Sequence, residues 1–126
     1  FIEEVWAWKQ RIGGAMRQAG ILAAAGLYAL DHHLERLADD HVNARRLAEG
    51  IADIDGLLCE ASHVDTNIVF FDITHAELNA SELVNRLGAS GVTLGAMGPH
   101  RVRAVTHLDV SRDDIEFALS SLARAS

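Results

Sequence analysis

The sequence NIVFFDI, residues 67–73, is rich in β-branched and aromatic side chains and predicts a β-strand. Residues 102–107, VRAVTH, alternate along the chain and predict a second strand. Shorter stretches typical of strands occur at residues 57–60 and 92–94. The part of the chain that follows Gly56 therefore predicts a small β-sheet.

Two capping patterns place helices between and after these strands. Asn79 is followed three residues later by Glu82, and Ser111 is followed by Asp114. Such a pair is typical of a helix N-terminus, because each side chain can accept a backbone N–H of the other residue. The order ββαββα after a long helix predicts an α+β fold, a two-layer α/β sandwich whose largely antiparallel sheet is covered on one face by helices.

The chain before Gly56 predicts three helices, at residues 2–10, 16–32 and 34–54. Residues 21–30 carry no charged side chain, so we expect the second helix to be buried within a larger protein or between subunits. The third helix places one stripe of residues toward a core: Leu34, Leu37, His41, Ala44, Ala48 and Ile51.

These patterns predict two domains. A helical arm spans residues 1–33 and cannot bury its own apolar surface, so we expect it to need a partner outside this sequence. A small α+β domain spans residues 34–126. The chain begins with Phe1 in a helical pattern, without an initiator methionine, as expected for a part of a longer protein.

The composition restricts the partners. The chain has 126 residues, of which 49% are hydrophobic, and 11 basic against 18 acidic residues give a net charge of −7. This charge argues against nucleic acid and anionic lipid, and favours a small molecule or another protein. With one cysteine, no internal disulfide, and apolar runs too short for a membrane, the sequence predicts a cytosolic, soluble protein.

The usual patterns of a metal site or a nucleophile are missing. His32 and His33 point to different sides of a helix, and no zinc-like spacing is present, so we predict no metal site. We expect His41 to be a core or interface histidine. Cys59 lies in a strand-like stretch and is expected to be buried. Lys9, the one lysine, lies beside two tryptophans and is expected to be a surface charge.

Arg103 lies in the strand predicted at residues 102–107, among apolar residues and after a Gly-Pro loop. A guanidinium held at this place suits a carboxylate, because its planar fork donates two parallel hydrogen bonds. Two alternatives are that Arg103 pairs with a nearby acid such as Asp109 or that it faces solvent.

The glycine-rich stretch RIGGAMRQAG, residues 11–20, also has two interpretations. Its backbone N–H groups, followed by a helix N-terminus, can bind phosphate. It can equally be a flexible joint between two helices with an exposed Arg17.

Four segments resemble a known family. GGAMRQAGILAAAGLYALDHH, LADDHVNARRLAEGI, DTNIVFF and RVRAVTHLDVS, in this order, are similar to the C-terminal part of the low-specificity L-threonine aldolases. These are pyridoxal-phosphate enzymes of the aspartate aminotransferase-like fold, fold type I. The resemblance implies a small C-terminal domain preceded by a cofactor domain. It also implies cleavage of L-threonine, allo-threonine and related β-hydroxy-α-amino acids to glycine and an aldehyde, by a homodimer or homotetramer.

The resemblance assigns roles to individual residues. Arg103 would bind the substrate carboxylate, and Arg17 would lie near the cofactor phosphate in a loop, with Gly13 and Gly14, at a subunit interface. The lysine that forms the Schiff base is implied upstream of Phe1, so we expect these 126 residues alone to be inactive. The family often has a third glycine where Ala15 stands and a lysine where Gln10 stands.

Two other functions fit the same sequence. One is a related aldolase for phenylserine or another β-hydroxy-amino acid. The other is a non-catalytic α+β regulatory or interaction module that uses its apolar N-terminal helices to oligomerise.

Overall fold

The computed structural model describes all 126 residues and contains two compact units, Phe1–Glu35 and Arg36–Ser126. The first unit holds the helices α1, Ile2–Arg11, and α2, Gly20–His32, and neither helix contains a buried residue. The predicted start of α2 at residue 16 is four residues early, because Gln18 has a φ of 50° and ends any continuous right-handed helix. No helix of the chain has the length and apolar character needed to cross a bilayer.

The second unit contains three helices and four strands, with one 3₁₀ turn at Ala61–His63. In chain order they are α3 (Leu37–Ala52), β1 (Leu57–Leu58), β2 (Ile68–Ile73), α4 (Ala80–Ala89), β3 (Gly95–Ala96), β4 (Arg101–Val105) and α5 (Arg112–Ala125).

The four strands form one sheet in the order β1-β2-β4-β3, and every neighbouring pair is antiparallel. The prediction of a largely antiparallel sheet is confirmed. The prediction of a strand at residues 92–94 is wrong. The N–H of Met97 donates to the carbonyl of Arg101 at 2.7 Å, so strand pairing starts beside the tight turn, while the N–H of Val92 donates to the carbonyl of Leu87 at the end of α4.

The helices cover one face of the sheet, and the core lies between the two layers. The strands contribute the side chains of Leu57, Val69, Phe71, Ile73, Val102 and Ala104, all buried. Helix α3 packs against β2 and α5, and α4 packs against α5 and β4.

The buried stripe of α3 differs from the predicted one. Ala44, Ala48 and Ile51 are buried as predicted, but the stripe also contains Asp40 and Asn43. These polar side chains tolerate burial because they are hydrogen-bonded to Arg36 and to the carbonyl of Val110, respectively. A pattern of apolar residues cannot reveal such positions.

The other predicted members of the stripe, Leu34, Leu37 and His41, are exposed. Of the two alternatives for His41, the core position is therefore wrong, while the interface position stays a prediction.

Both predicted N-caps are present. The side chain of Asn79 accepts the N–H of Glu82 at 2.9 Å, whereas the Glu82 carboxylate pairs with Arg86 at 2.7 Å and leaves the cap one-sided. Ser111 and Asp114 form the full reciprocal capping box, and these hydrogen bonds lower the pKa of Asp114.

Gly56, in the turn between α3 and β1, has a φ of +85°, and a Cβ built on it would overlap the exposed ring of His75. We expect Gly56→Ala to lower the free energy of unfolding by about 1–2 kcal/mol, because an L-residue pays for the left-handed conformation while the His75 ring rotates away. Urea denaturation measures the change. Gly88→Ala is the control, since a Cβ on Gly88 within α4 meets no atom within 4 Å, and it should be neutral or stabilising. Equal losses in the two variants would contradict the expectation.

Candidate functional site

The face of the sheet that the helices leave uncovered carries the candidate site. We call it the open face. It consists of alternate side chains of the two central strands, all of them at least partly exposed: Ile68, Phe70, Asp72, Arg101, Arg103 and Val105. Alternation along a strand explains this arrangement, since the residues between these positions fill the core.

Arg103 lies near the middle of the open face, between two unlike neighbours. On β2 its partner is Phe70, and on β3 its partner is Gly95. The N–H groups of Ile73 and Thr106 donate to the carbonyls of His100 and Asn67. Hydrogen-bonded and non-hydrogen-bonded pairs alternate along an antiparallel ladder, so these two bonds make Phe70 and Arg103 a non-hydrogen-bonded pair. In such a pair the Cα atoms lie about 4.5 Å apart and the side chains are close.

On the β3 side, by contrast, Arg103 belongs to a hydrogen-bonded pair. Because the N–H of Met97 donates to the carbonyl of Arg101, the pair two residues along, Gly95 and Arg103, is hydrogen-bonded, with Cα atoms about 5.5 Å apart. Gly95 offers no side chain. The Arg103 side chain therefore has an aromatic ring on one flank and bare backbone on the other.

The charges of the open face leave Arg103 without an acidic partner. Asp72 pairs with Arg101 at 3.9 Å, and the Arg101 guanidinium lies 5.2 Å from the centre of the Phe70 ring. Asp109, the acid considered in the sequence analysis, lies 3.6 Å from His107 instead. Arg103 makes no ion pair and no side-chain hydrogen bond and faces solvent. Of the alternatives given by the sequence, the structure favours a free guanidinium.

A buried polar contact fixes the C-terminal end of β4, three residues after Arg103. The hydroxyl of Thr106 donates to the carbonyl of Asp40 at 2.7 Å, and the amide of Asn67 donates to the carbonyl of Thr106 at 2.8 Å. The Asp40 carboxylate in turn accepts two hydrogen bonds from Arg36. Because β4 is tied to β2 and α3 in this way, Arg103 projects from a rigid strand.

Such a guanidinium can bind a carboxylate through two parallel hydrogen bonds. It cannot act as a base, because arginine keeps its proton at any physiological pH. The open face can therefore hold and orient an anionic group, and it offers no nucleophile or proton acceptor of its own beyond the paired Asp72.

The glycine loop of the first unit ends α1. Gly13 has a φ of +79°, and the N–H groups of Gly13 and Gly14 donate to the carbonyls of Gln10 and Lys9. A Cβ on Gly14 would lie 3.3 Å from the Lys9 side chain, so a larger residue is disfavoured there. Gly13 thus allows the chain to turn, and the N–H groups of both glycines are already bonded.

Arg17 follows this turn, is exposed, and makes no ion pair or side-chain hydrogen bond. Three residues later α2 begins, with no side-chain cap and no acidic residue in its first turn. A cation beside the uncapped N-terminus of a helix suits a phosphate group. Arg17 and the N-terminus of α2 therefore have the chemistry that a phosphate site needs, and the binding roles of Arg17, Gly13 and Gly14 stay predictions.

Lys9 and Cys59 are not part of the open face. The Lys9 ammonium lies 4.8 Å from the centre of the Trp6 ring on the exposed surface of α1, as expected from the sequence. Cys59 is buried, and burial, with the charge of Asp72, raises the pKa of its thiol, so that it is protonated at neutral pH.

Sequence reasoning missed Phe70 and Gly95 as the neighbours of Arg103. The residue types do not indicate which residues become neighbours of Arg103, because the pairing of β4 with β2 and β3 is set by the turn at residues 97–101 and by the contacts of the core. Since successive side chains of any strand point to opposite faces, the strand predicted at residues 67–73 implies that Phe70 and Phe71 face opposite sides, and it does not tell which of them is buried.

The chain matches a known family model. The model of the beta-eliminating lyases matches residues 1–75.

The chain is also similar to curated proteins over nearly all its length. It is 35% identical to low-specificity L-threonine aldolase 1 of Arabidopsis thaliana over 126 residues, covering 99% of this chain and 35% of the relative. It is 40% identical to the low specificity L-threonine aldolase of Escherichia coli K12 over 115 residues, covering 91% of this chain and 32% of the relative. The chain spans about a third of the length of these relatives, and the resemblance found in the sequence is confirmed.

Solved structures share the fold. The cystine C–S lyase C-DES, in complex with its product cysteine persulfide, superimposes with a TM-score of 0.68 at 23% identity, over 83% of this chain and 28% of the lyase. An aminotransferase from Escherichia coli gives a TM-score of 0.56 at 26% identity, over 68% of this chain and 23% of that protein. A variant of C-DES carries glycine covalently linked to its PLP cofactor. The α+β prediction, as a part of a fold-type I enzyme, is confirmed.

Proposed function

Since the chain belongs to the beta-eliminating lyase family, we propose that it is the C-terminal part of a pyridoxal-phosphate-dependent threonine aldolase. The enzyme cleaves L-threonine, allo-threonine and related β-hydroxy-α-amino acids to glycine and an aldehyde. It works in the cytoplasm. The names of the relatives support the reaction, and the unpaired Arg103 on the open face is the observation within this chain that carries the proposal.

Arg103 binds the α-carboxylate of the substrate. Two parallel hydrogen bonds from one guanidinium fix both the position and the plane of the carboxylate, and therefore the direction of the bond between the α- and β-carbons. Pyridoxal phosphate, when bound, supplies the electron withdrawal that lets this bond break. The absence of an acid beside Arg103 matters, because an internal ion pair would compete with the substrate.

Arg17 binds the cofactor phosphate together with the N-terminus of α2. Support comes from the exposed, unpaired guanidinium and from the uncapped first turn of α2. Gly13 and Gly14 contribute to cofactor binding through the shape of the loop, in which Gly13 has a positive φ, since the N–H groups of both glycines are bonded to α1.

The arm, residues 1–33, packs against a cofactor domain and a second subunit of a homodimer or homotetramer. Apolar side chains of α2 support this part of the proposal, since Leu22, Leu27 and Leu30 are each 62% exposed. Exposed leucines in this number are costly in water and favoured at an interface.

The test compares the complete gene product with the 126-residue chain. We expect the complete protein to form glycine and acetaldehyde from L-threonine, and the 126 residues alone to form neither, because their one lysine, Lys9, is an exposed residue of α1 that lies over the Trp6 ring. Lys9→Ala in the complete protein is the control and should retain both activity and the absorption of bound cofactor. Loss of that absorption in the Lys9→Ala variant, or no cleavage by the complete protein, would contradict the proposal.

A further inference from the structure

The two flanks of the Arg103 side chain differ in how much room they leave. The β2 flank is filled, because the Phe70 ring is the close cross-strand neighbour and is itself covered by the Arg101 guanidinium, which pairs with Asp72. The β3 flank carries Gly95, whose missing side chain leaves the space above the backbone empty. The β3 flank is therefore the less crowded of the two sides from which a ligand carboxylate can reach the guanidinium.

We propose that Gly95 is a positioning residue, which keeps the β3 flank of Arg103 open so that a substrate carboxylate can reach the guanidinium. The inference rests on the proposed role of Arg103. Gly95 acts through Arg103 and does not itself need to touch the substrate.

The backbone does not require a glycine at this position. The φ of Gly95 lies outside the left-handed region, and a Cβ built on it meets only the carbonyl of Arg103, at the ordinary contact distance of 3.7 Å. β-Strands normally favour a side chain over glycine, because glycine adds chain entropy and packs poorly. Steric and conformational demands of the fold thus leave the glycine unexplained, whereas an open flank beside Arg103 explains it.

A longer side chain at position 95 would lie on the same face as Arg103. Residues directly opposite each other in an antiparallel pair have Cβ atoms about 5 Å apart and point the same way. Leucine there would enclose the guanidinium between itself and Phe70, and would prevent the second of the two hydrogen bonds to a carboxylate.

The experiment uses the complete protein with its cofactor and measures the Kd for glycine by calorimetry. We expect Gly95→Leu to raise this Kd about tenfold, the loss of one hydrogen bond to a charged group. It should also lower kcat for L-threonine, because one remaining hydrogen bond no longer fixes the plane of the carboxylate. Gly95→Val should raise the Kd less. Ala96→Leu is the matched control, because Ala96 is exposed and belongs to the same strand but pairs with the buried Val102 and lies on the other face. Its Kd should equal that of the unmodified protein.

The double variant Arg103→Ala, Gly95→Leu separates the inference from the proposal on which it rests. If Gly95 acts through Arg103, adding Gly95→Leu to Arg103→Ala should produce no further rise in the Kd. An unchanged Kd in Gly95→Leu, or additive effects in the double variant, would overturn the role of Gly95 even where Arg103→Ala alone weakens binding. An unchanged Kd in Arg103→Ala would overturn the proposed function itself.

Discussion

Phe71→Ala is expected to lower the free energy of unfolding of the second unit by about 3–5 kcal/mol. Phe71 lies on β2, one of the two central strands, and is only 1% exposed beneath the layer of helices. Truncating it removes the transfer free energy of the ring and leaves a cavity that the packed neighbours cannot fill completely. Since small domains have a total stability of about 5–15 kcal/mol, the variant would be close to unfolding at room temperature.

Phe70→Ala is the matched control, because it removes the same side chain from the adjacent residue. Phe70 is 41% exposed on the open face, so its loss should cost less than about 1.5 kcal/mol. Urea denaturation followed by circular dichroism gives both values. Similar losses in the two variants would show that the open face is as important for stability as the buried face, against the structure described above.

These two phenylalanines illustrate which features of the fold can be predicted from the sequence. The strand predicted at residues 67–73 implies that Phe70 and Phe71 face opposite sides, because successive side chains of any strand do so. The capping pairs at Asn79 and Ser111 predict where two helices begin. These features are local, and so sequence reasoning finds them. The antiparallel pairing of β3 and β4 follows from the short turn that joins them. The pairing of β2 with β4 does not, because α4 and β3 lie between these two strands in the chain.

Features that depend on distant contacts escaped the prediction. The third strand was placed at residues 92–94, but the turn before Arg101 determines which residues pair. His41 was predicted to lie in the core or at an interface, but it is not part of the core. The buried stripe of α3 includes Asp40 and Asn43 instead, whose burial depends on Arg36 and on the carbonyl of Val110. A polar residue becomes a core residue only when its partner is present, and the partner of Asn43 lies 67 residues away.

For the candidate site, too, part could be predicted from the sequence and part could not. The strand pattern identified Arg103 as a fixed guanidinium, and the resemblance to the aldolases supplied its role. The neighbours of Arg103 could be identified only from the sheet register, which places Phe70 and Gly95 beside it. The same register brings Asp72 opposite Arg101, with which it pairs. The site residues assigned to the glycine loop remain predictions, supported for Arg17 by its freedom from internal partners.

Arg103→Ala in the complete protein is expected to lower kcat/KM for L-threonine by about 10- to 150-fold, equivalent to about 1.5–3 kcal/mol. The variant loses hydrogen bonds to a charged group, and it also loses the orientation of the bond to be cleaved. The fold should be unaffected, because the Arg103 side chain is exposed and makes no ion pair or side-chain hydrogen bond within the chain. A steady-state aldehyde assay together with thermal unfolding separates the two effects.

Arg103→Lys distinguishes geometry from charge. Lysine keeps the positive charge but lacks the planar fork, so a variant that recovers little of the lost kcat/KM would indicate that two parallel hydrogen bonds orient the carboxylate. Full recovery by lysine would mean that attraction alone suffices, and then the aromatic flank at Phe70 would have no orienting role. Arg101→Ala is the control on the same strand, since Arg101 is already paired with Asp72 and should change kcat/KM far less. An unchanged kcat/KM in Arg103→Ala would exclude the carboxylate role, because no other arginine of the open face is free to take it.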